Sequence, residues 1–200
     1  NLAPNTLLTA YRMGIFPWYM KGDPILWWSP ATRCVIDPHN PYVSKSLKKQ
    51  IRKTPYQVTS DQVFEEVVEN CSEINRGNSH GTWINCEMRK AYYKLFTIGV
   101  AHSVEIWLNN ELAGGLYGLA VGGVFSGESM FSKSPNVSKI ALLALCNGLK
   151  TANFCLIDCQ IVTPHLKTLG ANSIDRHQFL EILSTQINRK LDWPEDWTIP

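Results

Sequence analysis

Glu128 closes the apolar and glycine-rich run Leu112 to Gly127, and an ionised carboxylate in so dry a setting is costly unless something positive meets it. Further along, Leu156-Ile157-Asp158-Cys159-Gln160-Ile161-Val162 reads as an apolar strand broken by Asp158 and Gln160, which at spacing two project from one face. Taken singly, each of these residues reads as a helix cap or the partner of an arginine. Together, beside glycines that let a ligand approach the backbone, they describe a small polar site in a hydrophobic pocket. Glu128 is the place to expect the charged end of a ligand.

The elements that must position these residues follow from periodicity. Asp61 is expected to cap a helix running to about Ile74, with Val63, Phe64, Val67, Val68 and Cys71 inward. After a polar loop at 75–81 and Trp83, a second helix is expected from Cys86 to Ile98. Three strands follow, Ala101 to Trp107, Leu112 to Ala120 and Val124 to Glu128, joined at Asn109-Asn110 and Gly122-Gly123, which is an antiparallel meander. Ser134-Pro135-Asn136 opens a helix whose apolar side is Ile140, Leu142, Leu143, Leu145, Cys146 and Leu149. The strand Phe154 to Val162, a short helix at Pro164 to Leu169, a strand at Asn172 to Asp175 and a helix from Gln178 to Ile187 complete the pattern. A meander followed by α-β-α-β is an α+β order.

Residues 1–60 read differently. Phe16-Pro17-Trp18, Trp27-Trp28-Ser29-Pro30 and Asp37-Pro38 break regular structure, leaving a short helix around Thr6 to Met13, extended segments and a basic helix. The expected organisation is a small irregular domain at 1–60 and a larger one at 61–200. The basic stretch holds Lys45, Lys48, Lys49, Arg52 and Lys53, and helical spacing turns Leu47 and Ile51 inward, leaving most of the bases as a solvated face or a surface for phosphates.

With 200 residues, 44% of them hydrophobic and seven Trp, the chain is long enough for a packed core. No apolar run reaches transmembrane length and no signal-peptide pattern opens the chain, so a soluble, cytosolic protein with no membrane partner is expected. The six cysteines form no Cys-x-x-Cys pair, which argues for buried reduced thiols rather than a metal site or a disulfide framework. His102, His165 and His177 match no catalytic spacing and are read as structural.

Tyr11-Arg12-Met13-Gly14-Ile15-Phe16-Pro17-Trp18, Trp27-Trp28-Ser29-Pro30, Gly81-Thr82-Trp83-Ile84, Ala101-His102-Ser103-Val104-Glu105, Gly114-Gly115-Leu116-Tyr117-Gly118, Gly127-Glu128-Ser129-Met130-Phe131-Ser132 and Ile157-Asp158-Cys159-Gln160 occur in that order. Over nearly the whole chain this resembles the leucyl/phenylalanyl-tRNA–protein transferase family. The resemblance implies a GNAT-type acyltransferase fold with a small N-terminal domain. It implies transfer of Leu or Phe, and Met in some cases, from aminoacyl-tRNA to proteins beginning with Arg or Lys, which marks them for N-end-rule degradation. No cofactor is implied, and a monomer is expected.

Carried over by motif, Trp18 and Trp83 hold the 3′-terminal adenosine, a stacking contact of about 1–3 kcal/mol per base. Glu128 meets the amino group of the aminoacyl ester, and Leu116, Phe125, Met130, Leu145, Leu149 and Ile157 form the side-chain pocket, although each would also serve as ordinary core. Asp158 and Gln160 fall at the reacting centre, where Gln160 orients the amine or the ester carbonyl and Asp158 stabilises the developing ammonium or the acceptor's basic side chain. Leu116, Leu145 and Leu149 stand where bulkier residues occur in relatives, so the ranking of Leu, Phe and Met is left to pocket shape. Two rivals are an acyl-coenzyme A N-acyltransferase, against which Ser132 to Lys139 lacks the glycines of a pyrophosphate loop, and a non-catalytic RNA-binding module, which leaves Glu128, Asp158 and Gln160 unexplained.

Overall fold

The computed structural model describes residues 1–74 and 82–200, so the polar loop expected at 75–81 lies outside the described residues. In chain order the elements are α1 (Pro4–Arg12), β1 (Phe16–Pro17), β2 (Trp27–Trp28), β3 (Thr32–Ile36), α2 (Lys45–Lys53), β4 (Gln57–Ser60), α3 (Phe64–Glu73) and α4 (Cys86–Thr97). Then come β5 (Ala101–Leu108), β6 (Glu111–Val121), β7 (Val124–Ser132), α5 (Val137–Thr151), β8 (Leu156–Gln160), α6 (Pro164–Lys167), β9 (Asn172–Asp175) and α7 (Arg176–Gln186).

The expected meander is present as β5-β6-β7. Asn109 and Asn110 both take left-handed backbone, with φ of 53° and 63°, the geometry of a tight hairpin that asparagine tolerates. β7 runs past Glu128 to Ser132 because it stays paired with β6 across a bulge at Tyr117/Gly118. Asp61 does not cap α3. Its backbone is left-handed, and its carboxylate instead accepts from the Ser103 amide and pairs with His102 Nδ1, both at 2.7 Å. The helix therefore starts at Phe64 with no side-chain cap. In α2, by contrast, Ser44 Oγ accepts from the Leu47 amide and Leu47 is the buried residue.

One seven-stranded sheet, ordered β4-β5-β6-β7-β8-β3-β9, organises the chain, and a two-stranded sheet joins β1 to β2. The large sheet draws β3 and β4 from the first sixty residues and its other five strands from residues beyond 100. β3 is hard to read in the sequence because Ser29-Pro30 and Asp37-Pro38 crowd a short strand, yet it pairs with both β8 and β9 and buries Arg33 to Ile36.

Helices cover both faces. On one, Phe64, Val67, Tyr92 and Leu95 of α3 and α4, with Leu7 and Tyr11 of α1, pack on Tyr117 and Leu119. On the other, α5 buries Ile140, Leu145 and Leu149 against Val104, Leu116, Phe125 and Ile157. This is an α+β fold with a mixed sheet, antiparallel except at β7–β8. That pair is in register only at Val124–Leu156, Phe125–Ile157 and Ser126–Asp158. Beyond it β7 continues while β8 ends, and the sheet parts.

Candidate active site

The gap where β7 and β8 part opens on a cavity of about 580 Å³. Glu128, just past the paired residues of β7, sits at its edge and is 9% exposed. Tyr11 from α1 donates to its Oε1 at 2.6 Å, Tyr92 from α4 donates to its Oε2 at 2.7 Å, and Gln160 Nε2 donates to Oε1 at 2.8 Å. The two phenol oxygens also lie 2.6 Å from each other. Three contacts among two hydroxyls and a carboxylate need three protons, and the hydroxyls bring two. Glu128 supplies the third when it is protonated, and one phenol then accepts from the carboxyl and donates to the other phenol.

The electrostatics agree with that count. Burial pushes the Glu128 carboxyl up to about 7, against the lowering pull of the Tyr11 and Tyr92 hydrogen bonds, with the charge of Asp158 adding to the rise. Burial, and then the charge of Glu128, hold both phenols well above their ordinary range, so they remain donors. The carboxylate is poised to exchange its proton for a cationic ligand.

Asp158 takes a different place from the one its sequence suggests. It is 1% exposed, and its partner is Arg33 of β3, equally buried, which donates Nε to Oδ1 at 2.7 Å and Nη2 to Oδ2 at 2.6 Å. Arg33 Nη1 donates to the Gly14 carbonyl at 3.0 Å, and its guanidinium lies over the Phe16 and Phe179 rings. A bidentate pair in which a third guanidinium N–H also finds an acceptor is the arrangement that makes a buried charge tolerable. Asp158 does not line the cavity. Its Oδ1 also accepts from the Gln160 backbone amide at 2.9 Å. That bond steadies Gln160 in left-handed backbone, φ 62°, a conformation costly for a residue with a side chain. Asp158 and Gln160 therefore do not share a face: the turn swings Gln160 into the cavity and leaves Asp158 behind it.

Leu116, Phe125, Met130, Leu145 and Ile157 line the same cavity, and so do Trp18 and Trp83. Trp18 is 40% exposed and meets Trp28 edge-on at 5.8 Å. Leu149 is not in the lining. It sits a helical turn beyond Leu145, in the core, and Leu142 and Ser138 complete the α5 wall instead. His165 also reaches the cavity, and burial lowers its pKa. His102 pairs with Asp61, and His177 lies on the surface beside Glu181.

Tyr11, Tyr92 and Arg33 were not singled out by sequence reasoning. The signal available was weak: two tyrosines on the inward faces of helices, each with a hydroxyl that needs a partner, and one arginine inside an apolar strand.

The fold and site define an α+β protein whose mixed sheet parts beside a hydrogen-bonded carboxylate at the edge of a largely apolar cavity. Residues 35–184 match the family described as leucyl/phenylalanyl-tRNA protein transferase, and residues 1–31 match the N-terminal domain of that family. Relatives named leucyl/phenylalanyl-tRNA–protein transferase include one from Hydrogenovibrio crunogenus, 50% identical over 100% of this chain and 77% of that protein. Another, from Stutzerimonas stutzeri, is 48% identical over 96% of this chain and 86% of its own length. Among solved structures, L-PGS from Bacillus licheniformis shares the fold with a TM-score of 0.50 and 9% identity, over 88% of this chain and 67% of that one. The chain belongs to the leucyl/phenylalanyl-tRNA–protein transferase family.

Proposed function

We propose that this protein transfers Leu or Phe, and Met in the same pocket, from aminoacyl-tRNA to the α-amino group of proteins beginning with Arg or Lys, marking them for N-end-rule degradation. The proposal includes a GNAT-type fold acting as a cytosolic monomer without a cofactor. The observation that carries it is one cavity lined by the hydrogen-bonded Glu128, by apolar side chains and by Trp18 and Trp83. An aminoacyl adenosine has that outline: an apolar side chain, an α-amino group and an adenine to stack.

In this reading the ammonium of the bound amino acid replaces the Glu128 proton, the side chain enters between Leu116, Phe125, Met130, Leu145 and Ile157, and the terminal adenosine lies against Trp18 and Trp83. Gln160 Nε2 is engaged by Glu128, which leaves Gln160 Oε1 to accept from an N–H of the incoming amine. The amine nitrogen attacks the ester carbonyl carbon, the peptide C–N bond forms, the bond to the ribose oxygen breaks, and the amine's proton ends on that oxygen. An α-amino group titrates near pH ~8 and so offers a neutral fraction without a strong base. Positioning of two oriented reactants then contributes roughly 7–11 kcal/mol. Asp158, locked to Arg33, acts by holding Gln160 in place.

The loop before α5 supports this reading over an acyl-coenzyme A enzyme. The Ser138 amide donates to Ser132 Oγ at 3.1 Å, the Val137 amide to the Ser134 carbonyl at 3.3 Å, and the Lys139 and Ile140 amides to the Asn136 carbonyl at 3.0 and 3.1 Å. These donors are spent within the chain, whereas a pyrophosphate cradle offers them to the ligand.

The test is transfer of labelled Leu, Phe and Met from their tRNAs to peptides beginning with Arg, Lys or Ala, beside incubation with acetyl-coenzyme A. Transfer to the Arg and Lys peptides alone is expected. Acetylation without aminoacyl transfer sinks the proposal.

A further inference from the structure

Residues 188–200 follow α7 without helix or strand and cross the sheet face that carries α5, packing Leu191, Trp193, Trp197 and Ile199 onto the core there. The docking is close. Trp197 lies over Gly148, where a Cβ would come within 2.7 Å of its ring, and Asn147 Nδ2 donates to Thr198 Oγ1 at 2.9 Å. The Trp193 indole donates Nε1 to Ser60 Oγ at 2.9 Å and stacks on His102, ring centres 4.0 Å apart and 11° from parallel. His102 is itself held by Asp61.

Trp193 also stacks on Phe125, at 5.6 Å and 26°, and meets Phe154 edge-on at 6.3 Å. Phe125 is fully buried and is part of the cavity wall, whereas Trp193 is not. The Phe125 ring also packs closely on Gly118, where a Cβ would meet its ring carbons at 2.6 Å. Phe125 is thus fixed by the sheet and backed by an aromatic ring from the terminal strap. Packed interiors transmit such support, since a wall without backing moves or leaves a void.

We propose that Trp193 is a specificity-setting positioning residue, the strap holding Phe125 forward and thereby fixing the depth of the aminoacyl side-chain pocket. This rests on the aminoacyl-tRNA reading of the cavity and goes beyond it by assigning a role to a segment outside the site. A pocket with Trp193 in place favours the smaller of two apolar side chains, and loss of the ring gives Phe125 room to withdraw and admits the larger one.

The experiment compares kcat/KM for Phe-tRNA and Leu-tRNA in wild type, Trp193→Ala, Trp193→Leu and Trp193→Phe. The Phe-to-Leu ratio is expected to rise roughly 5- to 10-fold in Trp193→Ala, mainly through KM, and to return toward the wild-type value in Trp193→Phe, which keeps a ring behind Phe125. A structural role alone lowers both substrates together and leaves the ratio unmoved, an outcome that overturns the proposal. Trp193→Leu fills the strap's apolar seat without a flat ring and reads the same ratio if the alanine variant does not fold.

Calorimetric binding of the stable 3′-phenylalanylamino and 3′-leucylamino analogues of 3′-deoxyadenosine measures the pocket without transfer. A ratio that shifts in binding while wild type transfers neither amino acid condemns the functional reading and upholds the pocket-depth inference. A ratio that stays fixed in binding while wild type transfers both does the reverse.

Discussion

At the scale of single residues, Glu128 is a group whose function and cost have one origin. Unfolded, its carboxyl ionises near 4.5, and in the fold burial holds the proton to about 7. Between those values the native state binds more protons than the unfolded chain, so stability falls as pH rises through that window and levels off above it. The size of the fall is up to about 3 kcal/mol. Glu128→Gln is expected to abolish the decline, leaving stability unchanged at pH 4 and raised at pH 8. Urea unfolding at the two pH values measures it, and an undiminished decline in the variant shows that another group titrates. Gln160→Ala removes a hydrogen bond to a charged partner and the side chain set against the incoming amine, with an expected loss of roughly 10- to 100-fold in single-turnover transfer. Glu128 and Gln160 were legible because a polar residue in an apolar strand is conspicuous. Tyr11 and Tyr92 were not, because an inward tyrosine on an amphipathic helix looks the same whether its hydroxyl meets solvent, backbone or a carboxylate.

At the scale of elements, the β3–β8 pair is the joint that sets the site. Arg33 and Asp158 tie the two strands in a buried bidentate contact, and the bulge between Cys34 and Val35 accommodates the turn that presents Gln160. Arg33→Ala leaves an uncompensated buried charge, and a loss of about 3–5 kcal/mol is expected in chemical denaturation. A double change, Arg33→Met with Asp158→Leu, is expected to recover much of that stability but not transfer, because the Gln160 amide loses its side-chain acceptor. Gly118→Ala tests the neighbouring joint, since its Cβ would lie 2.2 Å from the Ser126 carbonyl oxygen and 2.6 Å from the Phe125 ring. Backbone yields little, so destabilisation of about 1–3 kcal/mol is expected together with weaker discrimination among amino acids. Periodicity located α1, α2, α4, α5 and the meander. It missed β3, whose five residues lie between prolines, and it gave Asp61 to a helix when the hairpin beside it was the better partner.

At the scale of the whole molecule, α2 places Lys45, Lys48, Lys49, Arg52 and Lys53 around one shallow recess. Reversing the charge of Lys45, Lys48 and Arg52 is expected to weaken tRNA binding and reduce the slope of log affinity against log salt by at most about 3. An unchanged slope assigns the helix to solvent. No helix among the described residues is long and apolar enough to cross a membrane. The amino-acid sequence alone determined the α+β order, the meander, the basic helix and the ordered motifs that place the chain in its family, because these depend on local periodicity and on residue types at fixed spacing. Tertiary structure alone decided which partners the polar groups take: Arg33 with Asp158, two helical tyrosines with Glu128, and a terminal tryptophan behind Phe125. Those contacts join residues far apart in the chain, and spacing carries no record of them. They also settle which of two neighbouring residues enters the cavity, since one left-handed backbone angle at Gln160, held by Asp158, overrides the alternation of the strand.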